Sequence, residues 1–584
     1  MRPQRVRLPV KVEQTQQFVV RNVGPLLLVN PLLRQMRIKQ IVDRHCPPDV
    51  RLEIPVGEVI HALVANRLCS PQPLLHVAAW AHASGAELLL GTHAGSLNDD
   101  RLGRALDAVF AKRWSILAEV ALHVCSLFLV DLWKVHYDTT SFHFTGAYDE
   151  QSPDPALAPE IAPFRIERGR HAGPGRDIKE AQVGVNLAND GKGPLPFFYH
   201  TADGSANDHI ATAKNLQQLL RYVKPKRLLY IADRGCFSSG QAIELADKGF
   251  HFLYSVPWSE DLATLYRDRK PSMQEASFLS LLEKRKRELQ QPEQQWERYF
   301  VGEIPHTICH EKRSLRVRLV YVHSSADEKT CRAMREKYTQ KIRVELEKLK
   351  RGVESGRLKE VPEVHKRILK AYGRKAAQKY FCYDVSALTP QEKEALPPPG
   401  RGNARATLKL CYRYEADKAA EDARYDGIYA IMTNLPPESH STDCVFTSFK
   451  EQHHIETSHH QWKAPIRLRP LFLKKIKRLE SLVFVQFLAL MCFYLLQRCY
   501  RLGKGGECRT TGETLLRRFA HCPLAFRYET DSIEVMVSAL LPRQQQTLKT
   551  LRLPSVAEQI QPFVTAGIED PALDQQTDLA DNDT

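Results

Sequence analysis

Three observations predict a mixed α/β fold behind a helical N-terminal region. Residues 35–125 carry apolar side chains at helical spacing, as in VGEVIHALVANRLC (56–69). At residue 132 the period changes, and LWKVHYDTTSFHF alternates and is rich in β-branched and aromatic residues. Residues 132–257 then read strand, strand, strand, helix, strand, helix, strand.

In the helical region, SLNDDRLGRALDAVF offers an Asn or Asp cap before an amphipathic helix. The strands of the next region fall at 133–144, 180–189, 194–201 and 227–233. EAQVGVNLAND and PLPFFYHTADG are joined by the turn NDGKG. NDHIATAKNLQQLLRYV is a helix that opens on Asn or Asp, and RLLYIADRG is a short apolar strand ending at Asp233. SSGQAIELADKG is a helix stopped by Gly249, and FHFLYSVP is a further strand. The Pro-, Gly- and Glu-rich stretch 150–176 reads as a long loop. Residues 258–420 break the rhythm: strands such as SLRVRLVYVHS mix with a long charged segment (328–380), read as a solvated helical pair. YDGIYAIMTNLP returns to strand, and the acidic end EDPALDQQTDLADNDT is read as disordered. The domain limits expected are 1–130, 131–257, 258–420, 421–505 and 506–584.

The totals narrow the function. A chain of 584 residues with 43% hydrophobic residues can build several cores. A net charge of +15 and a pI of about 9.1 favour a polyanionic partner, nucleic acid before membrane. Thirteen cysteines without a CxxC pair point to reduced thiols, a cytoplasmic location and no structural zinc. The opening MRPQRVRLPVKVEQ lacks a long apolar core and is not read as a signal peptide, and the apolar run 482–496 is short for a bilayer, so it is read as a buried core helix.

FKEQHHIETSHHQWK (449–463) holds four histidines, two glutamates and two lysines. With no Pro or Gly it can be helical. At about 100° per residue, Phe449, Gln452, Glu456, His460 and Lys463 share a face, and Glu451 points off it. The order is not HExxH, so zinc is not favoured; His453, His459 and His460 read either as an extension of the polar face or, near nucleic acid, as hydrogen-bond partners of phosphate. Asp138 in the first strand, Asp233 at a strand end and Glu456 on this stretch are three carboxylates whose setting suits a pair of Mg²⁺ ions.

Four stretches resemble a known family: HYDTTSF, YIADRGCFSSGQAIELADKGFHFLYSV, YDGIYAIMTNLP and FKEQHHIETSHHQWK. Together they are similar to the DDE-type transposases of the insertion-sequence-four-like group of bacterial elements, which have an RNase H-like catalytic core. The group's signature is Tyr, two residues, Arg, three, Glu, six, Lys. Phe449, Gln452, Glu456 and Lys463 keep these spacings, with Phe for Tyr and Gln for Arg. RLRPLFLKKIKRLESLVFVQFLALM resembles the family's basic segment and closing core helix, and NDDRLGRALD its N-terminal helical domain. The long gap between Asp233 and Glu456 resembles the group's insertion before the catalytic helix.

The resemblance implies an RNase H-like mixed sheet flanked by helices, with an insertion and an N-terminal helical domain. It implies Asp138, Asp233 and Glu456 as ligands of Mg²⁺, with Mn²⁺ able to substitute. It implies DNA contacts by Lys463 and Gln452, with Trp258 and Trp296 as candidates for holding a base. The partner would be double-stranded DNA, at inverted-repeat ends and at the target, bound by a homodimer. The segment 449–504 has eleven lysines and arginines against three acids, a net charge of +8. Its Lys474, Lys475 and Lys477 join Lys463 as candidate contacts to the DNA backbone. Two other readings stay open: a DNA-binding derivative without catalysis, and a plain metal-dependent nuclease.

Overall fold

A computed structural model describes residues 4–9, 18–48, 54–144, 148, 157–158, 161–168, 179–233, 236, 238–293, 296–373, 376–396, 405–463, 473–506, 508–529, 532–537 and 540–560. The fold is mixed α/β. It divides into two compact units, one of residues 1–252 and 451–584, the other of 253–450.

In the first unit helices precede the core sheet, among them α1 (Asp99–Phe110) and α2 (Arg113–Leu127). The predicted cap of α1 is present: the Asn98 side chain accepts from Arg101 N at 2.9 Å. Four strands follow: β1 (Lys134–Phe144), β2 (Lys179–Ala188), β3 (Leu195–Asp203) and β4 (Leu229–Ala232). They agree with the predicted ranges to within two residues. β2 pairs antiparallel with β1 on one side and with β3 on the other. β4 pairs with β1 in parallel, Lys134 opposite Leu229 and Tyr137 opposite Ala232. The spatial order is therefore β3, β2, β1, β4.

A parallel connection needs a crossover, and α3 (Asp208–Tyr222) between β3 and β4 supplies a helix for it. Asn207 caps that helix by accepting from His209 N at 2.9 Å. Nearly every residue of β2 and β3 is buried, as expected of strands covered on both faces. Gly184 of β2 is required by close approach, because a Cβ there would stand 2.4 Å from the Tyr137 hydroxyl. Beyond β4, the helix α4 (Ser239–Asp247) ends before Gly249, which has a φ of +74°.

The second unit is built on the hairpin of β5 (Tyr299–His310) and β6 (Arg313–Ser324), with β7 (Ile428–Thr433) antiparallel to β6. The charged segment forms two helices, α5 (Ser325–Glu354) and α6 (Val361–Tyr372). They have a core of their own: Ile342, Leu346, Val364 and Ile368 are buried against residues such as Leu410 of a two-stranded ribbon. The pair is thus solvated on one side only. α7 (Thr442–Lys450) closes this unit.

The chain returns to the first unit at Glu451 and forms α8 (His453–Lys463) and α9 (Ile476–Gly503). The apolar run 482–496 lies in α9. By length and composition α9 could cross a membrane, but its apolar window is 100% buried inside the protein, as a core helix would be. α9 packs on α1 and β3.

The second unit spans 253–450 and so takes in β7 and α7 besides residues 258–420. β7 pairs antiparallel with β6 on one side and with residues 253–256 on the other. Strands Gln4–Pro9 and Phe18–Asn22 form one four-stranded sheet with Pro523–Glu529 and Ser532–Val537. The acidic end 569–584 and most of the 150–176 loop lie outside the described residues.

Candidate active site

The site starts from the β1–β4 register. Tyr137 and Ala232 are paired in parallel, and the next residues are Asp138 and Asp233. Two parallel strands about 4.8 Å apart thus present a carboxylate each at the same level, and Asp233 lies at the carboxyl end of its strand, where α/β sheets hold their ligands. Asp233 is exposed. Asp138 has a side chain 30% exposed, accepts from Thr139 N at 2.8 Å, and stands 3.7 Å from His459 Nδ1.

The carboxyl of Asp138 is pushed up to about 7. Burial is the main cause, opposed by the Thr139 hydrogen bond and reinforced by the negative charges of Asp233, Glu456 and Asp208. Asp208, the first residue of α3, is a fourth acid that the sequence reading did not single out. Its position after a capping Asn made it look like an ordinary helix-start acid. In the structure it accepts a 3.4 Å hydrogen bond from Thr139 Oγ1, beside Asp138.

The third carboxylate comes from α8, which lies against β1. The stretch 449–463 is not one helix as predicted: α7 ends at Lys450 and α8 begins at His453. The shared face therefore starts at Glu456, and Phe449 belongs to α7. Gln452 sits in the break, where its carbonyl accepts from Ile455 N at 2.9 Å. At the break stands Glu451, whose carboxylate is bound to Lys134 of β1 and, at 3.0 Å, to Asn189 Nδ2. Helix propensity alone could not reveal that interaction.

From the break onward the helical face behaves as read. Glu456 is exposed, and Lys463, two turns on, donates from Nζ to Thr140 Oγ1 of β1. His459 turns inward instead. Burial, with the nearby Lys463 charge, holds it down at about 3, so its approach to Asp138 is that of a neutral ring and not an ion pair. Trp462 fixes the helix from behind, buried against Tyr199 (6.0 Å between centroids) and Phe487 (5.5 Å).

The basic segment is only partly available to a ligand. Lys474 and Lys475 are exposed just before α9, and Lys477 lies 5.8 Å from the Phe110 ring centroid in its first turn. Arg478 is paired with Asp107 (2.7 Å). Arg498, 1% exposed, makes two 2.7 Å bonds to Asp190. The net charge of 449–504 therefore overstates the surface charge. Arg467 and Arg469 lie outside the described residues.

Among the described residues, no three His, Cys, Asp or Glu side chains stand close enough to hold a metal ion as they are placed. The donor set is nevertheless of the kind a hard cation takes: carboxylate oxygens on neighbouring strands and a facing helix. Trp258 and Trp296 belong to the second unit. Trp258 packs 5.7 Å from Tyr425, and Trp296 donates to Gln291 O and carries Arg287 on its ring.

Residues 18–122 match a domain of unknown function (DUF4277). Asp138, Asp233 and Glu456 lie outside this match. No curated protein matches the chain.

Proposed function

We propose that this chain cuts and joins DNA at the ends of a mobile element, as a Mg²⁺-dependent DDE-type transposase of the insertion-sequence-four-like group. One observation carries the reading: the parallel β1–β4 register sets Asp138 and Asp233 side by side, with the Glu456 helix packed on β1. The strand order β3, β2, β1, β4, with only β4 parallel to β1, supports an RNase H-like core.

In this reading Asp138, Asp233 and Glu456 hold the metal pair. Bound Mg²⁺ supplies activation of the attacking hydroxyl and stabilisation of the leaving oxygen in an in-line displacement. Lys463 gives a point charge to a DNA phosphate beside β1. Neutral His459 adds no charge next to Asp138. Lys474 and Lys475 meet the backbone of double-stranded DNA. A homodimer acting in the bacterial cytoplasm completes the proposal.

The test uses DNA carrying the gene's own flanking sequence. Asp138→Ala, Asp233→Ala and Glu456→Ala should each lower Mg²⁺- or Mn²⁺-dependent cleavage by at least ~10²–10³-fold, with DNA binding retained. Joining of the cleaved 3′ end to a target separates a transposase from a plain nuclease. A wild-type chain that binds this DNA but does not cut it would instead mark a DNA-binding derivative.

A further inference from the structure

Glu451 is where the chain comes back from the second unit into the first. Its main chain starts α8, since its carbonyl accepts from His454 N at 3.0 Å. Its side chain, 22% exposed, reaches back to the sheet. There one oxygen, Oε2, meets the Lys134 ammonium, the Asn189 amide at 3.0 Å and, at 3.8 Å, the fully buried His136 ring. Lys134 and His136 are on β1, four and two residues before Asp138. Asn189 directly follows β2.

We propose that Glu451 is a positioning residue for the reaction assigned above: it fixes the start of α8 on β1 and thereby holds Glu456 beside Asp138. The inference rests on that functional reading and adds to it a residue that touches neither metal nor DNA. Glu456 is five residues along the helix, about 7.5 Å from the anchor, so a tilt at Glu451 is carried to the carboxylate. Trp462 fixes the far end of the same helix. Charge-assisted hydrogen bonds to a half-buried carboxylate are among the stronger side-chain ties available. Burial works to raise the Glu451 carboxyl, but the neighbouring His136 and Lys134 outweigh it and hold it below the usual range, so Glu451 stays ionised.

The experiment compares the full-length wild type with Glu451→Ala and Glu451→Gln, the second of which keeps an oxygen for Asn189 and Lys134. Position is read without reference to activity, from the ¹⁹F resonance of 5-fluorotryptophan at 462, assigned with Trp462→Phe. Function is read as cleavage of the flanking-sequence DNA across a Mn²⁺ titration. Glu451→Ala should move or broaden the resonance, lower cleavage by about 10²-fold, as a 1 Å misplacement does, and raise the Mn²⁺ needed for half-maximal rate. Glu451→Gln should stay near wild type on all three. If Glu451→Ala does not fold, Lys134→Met and Asn189→Ala should show the same changes in smaller measure. An unmoved resonance, or a moved one with unchanged Mn²⁺ dependence and rate, overturns the positioning role. A wild type that cuts no DNA overturns the functional reading and this role with it, and so differs from a failure of the role alone, in which wild type and Glu451→Ala both cut.

Discussion

Lys463 of α8 donates its ammonium to Thr140 Oγ1, two residues beyond Asp138 on β1. A strand hydroxyl therefore orients the cation toward the carboxylate site. Lys463→Gln should leave the melting temperature nearly unchanged, since half-exposed contacts of this kind contribute little. It should weaken binding to all DNA sequences about equally and reduce the slope of log affinity against log salt by about one. Fluorescence anisotropy across a salt series checks this.

The same measurement sorts the basic segment. Lys474→Gln and Lys475→Gln, at exposed positions, should each lower the salt slope by about one. Arg478 is bound to Asp107, so Arg478→Gln should leave the slope unchanged. Equal slopes for all three variants would put the DNA path elsewhere.

Asp138 predicts a pH-dependent stability. Its folded value, about 7, lies above its ordinary value of 3.8. A raised carboxyl contributes stability below its unfolded value and loses it as pH rises through the folded one. Asp138→Asn should therefore match wild type near pH 4 and be the more stable protein above about pH 7, without added metal. The difference is roughly 1–3 kcal/mol, below the full shift because the side chain is 30% exposed. Adding Mg²⁺ should shrink the gap by stabilising wild type alone. Thermal melts from pH 4 to 8 measure it.

The helical region and core sheet are joined by a buried ion pair. Arg113 of α2 and Glu480 of α9 are 1% and 0% exposed and 3.4 Å apart. Glu480 also accepts from Thr201 of β3 and from Phe164 N. Glu480→Ala leaves the Arg113 charge buried and should cost about 3–5 kcal/mol in denaturant unfolding. Arg113→Met with Glu480→Leu should cost less than Glu480→Ala.

Much of the site could be read from local pattern. The alternation of 133–144 and the apolar RLLYIAD marked the two strands that carry Asp138 and Asp233, because strand period and strand ends are local properties. The Asn98 cap was legible for the same reason. What was missed depended on distant partners. At the break before His453, Glu451 is bound by Lys134 and Asn189, residues more than 260 positions away. Arg498 counted as surface charge until its partner Asp190 was known. Asp208 gained meaning only through Thr139. The pairing of the chain's two ends in one sheet had no local signal at all.

In the proposed function Asp138, Asp233 and Glu456 share a pair of divalent ions. Crystals grown with Mn²⁺ and DNA, measured at the manganese absorption edge, test it most directly. Two anomalous peaks roughly 3.5–4 Å apart are expected, ligated by Asp138, Asp233 and Glu456. Mn²⁺ bound elsewhere, or the Asp138 and Asp233 carboxylates more than ~10 Å apart, too far to share a two-metal centre, would contradict it.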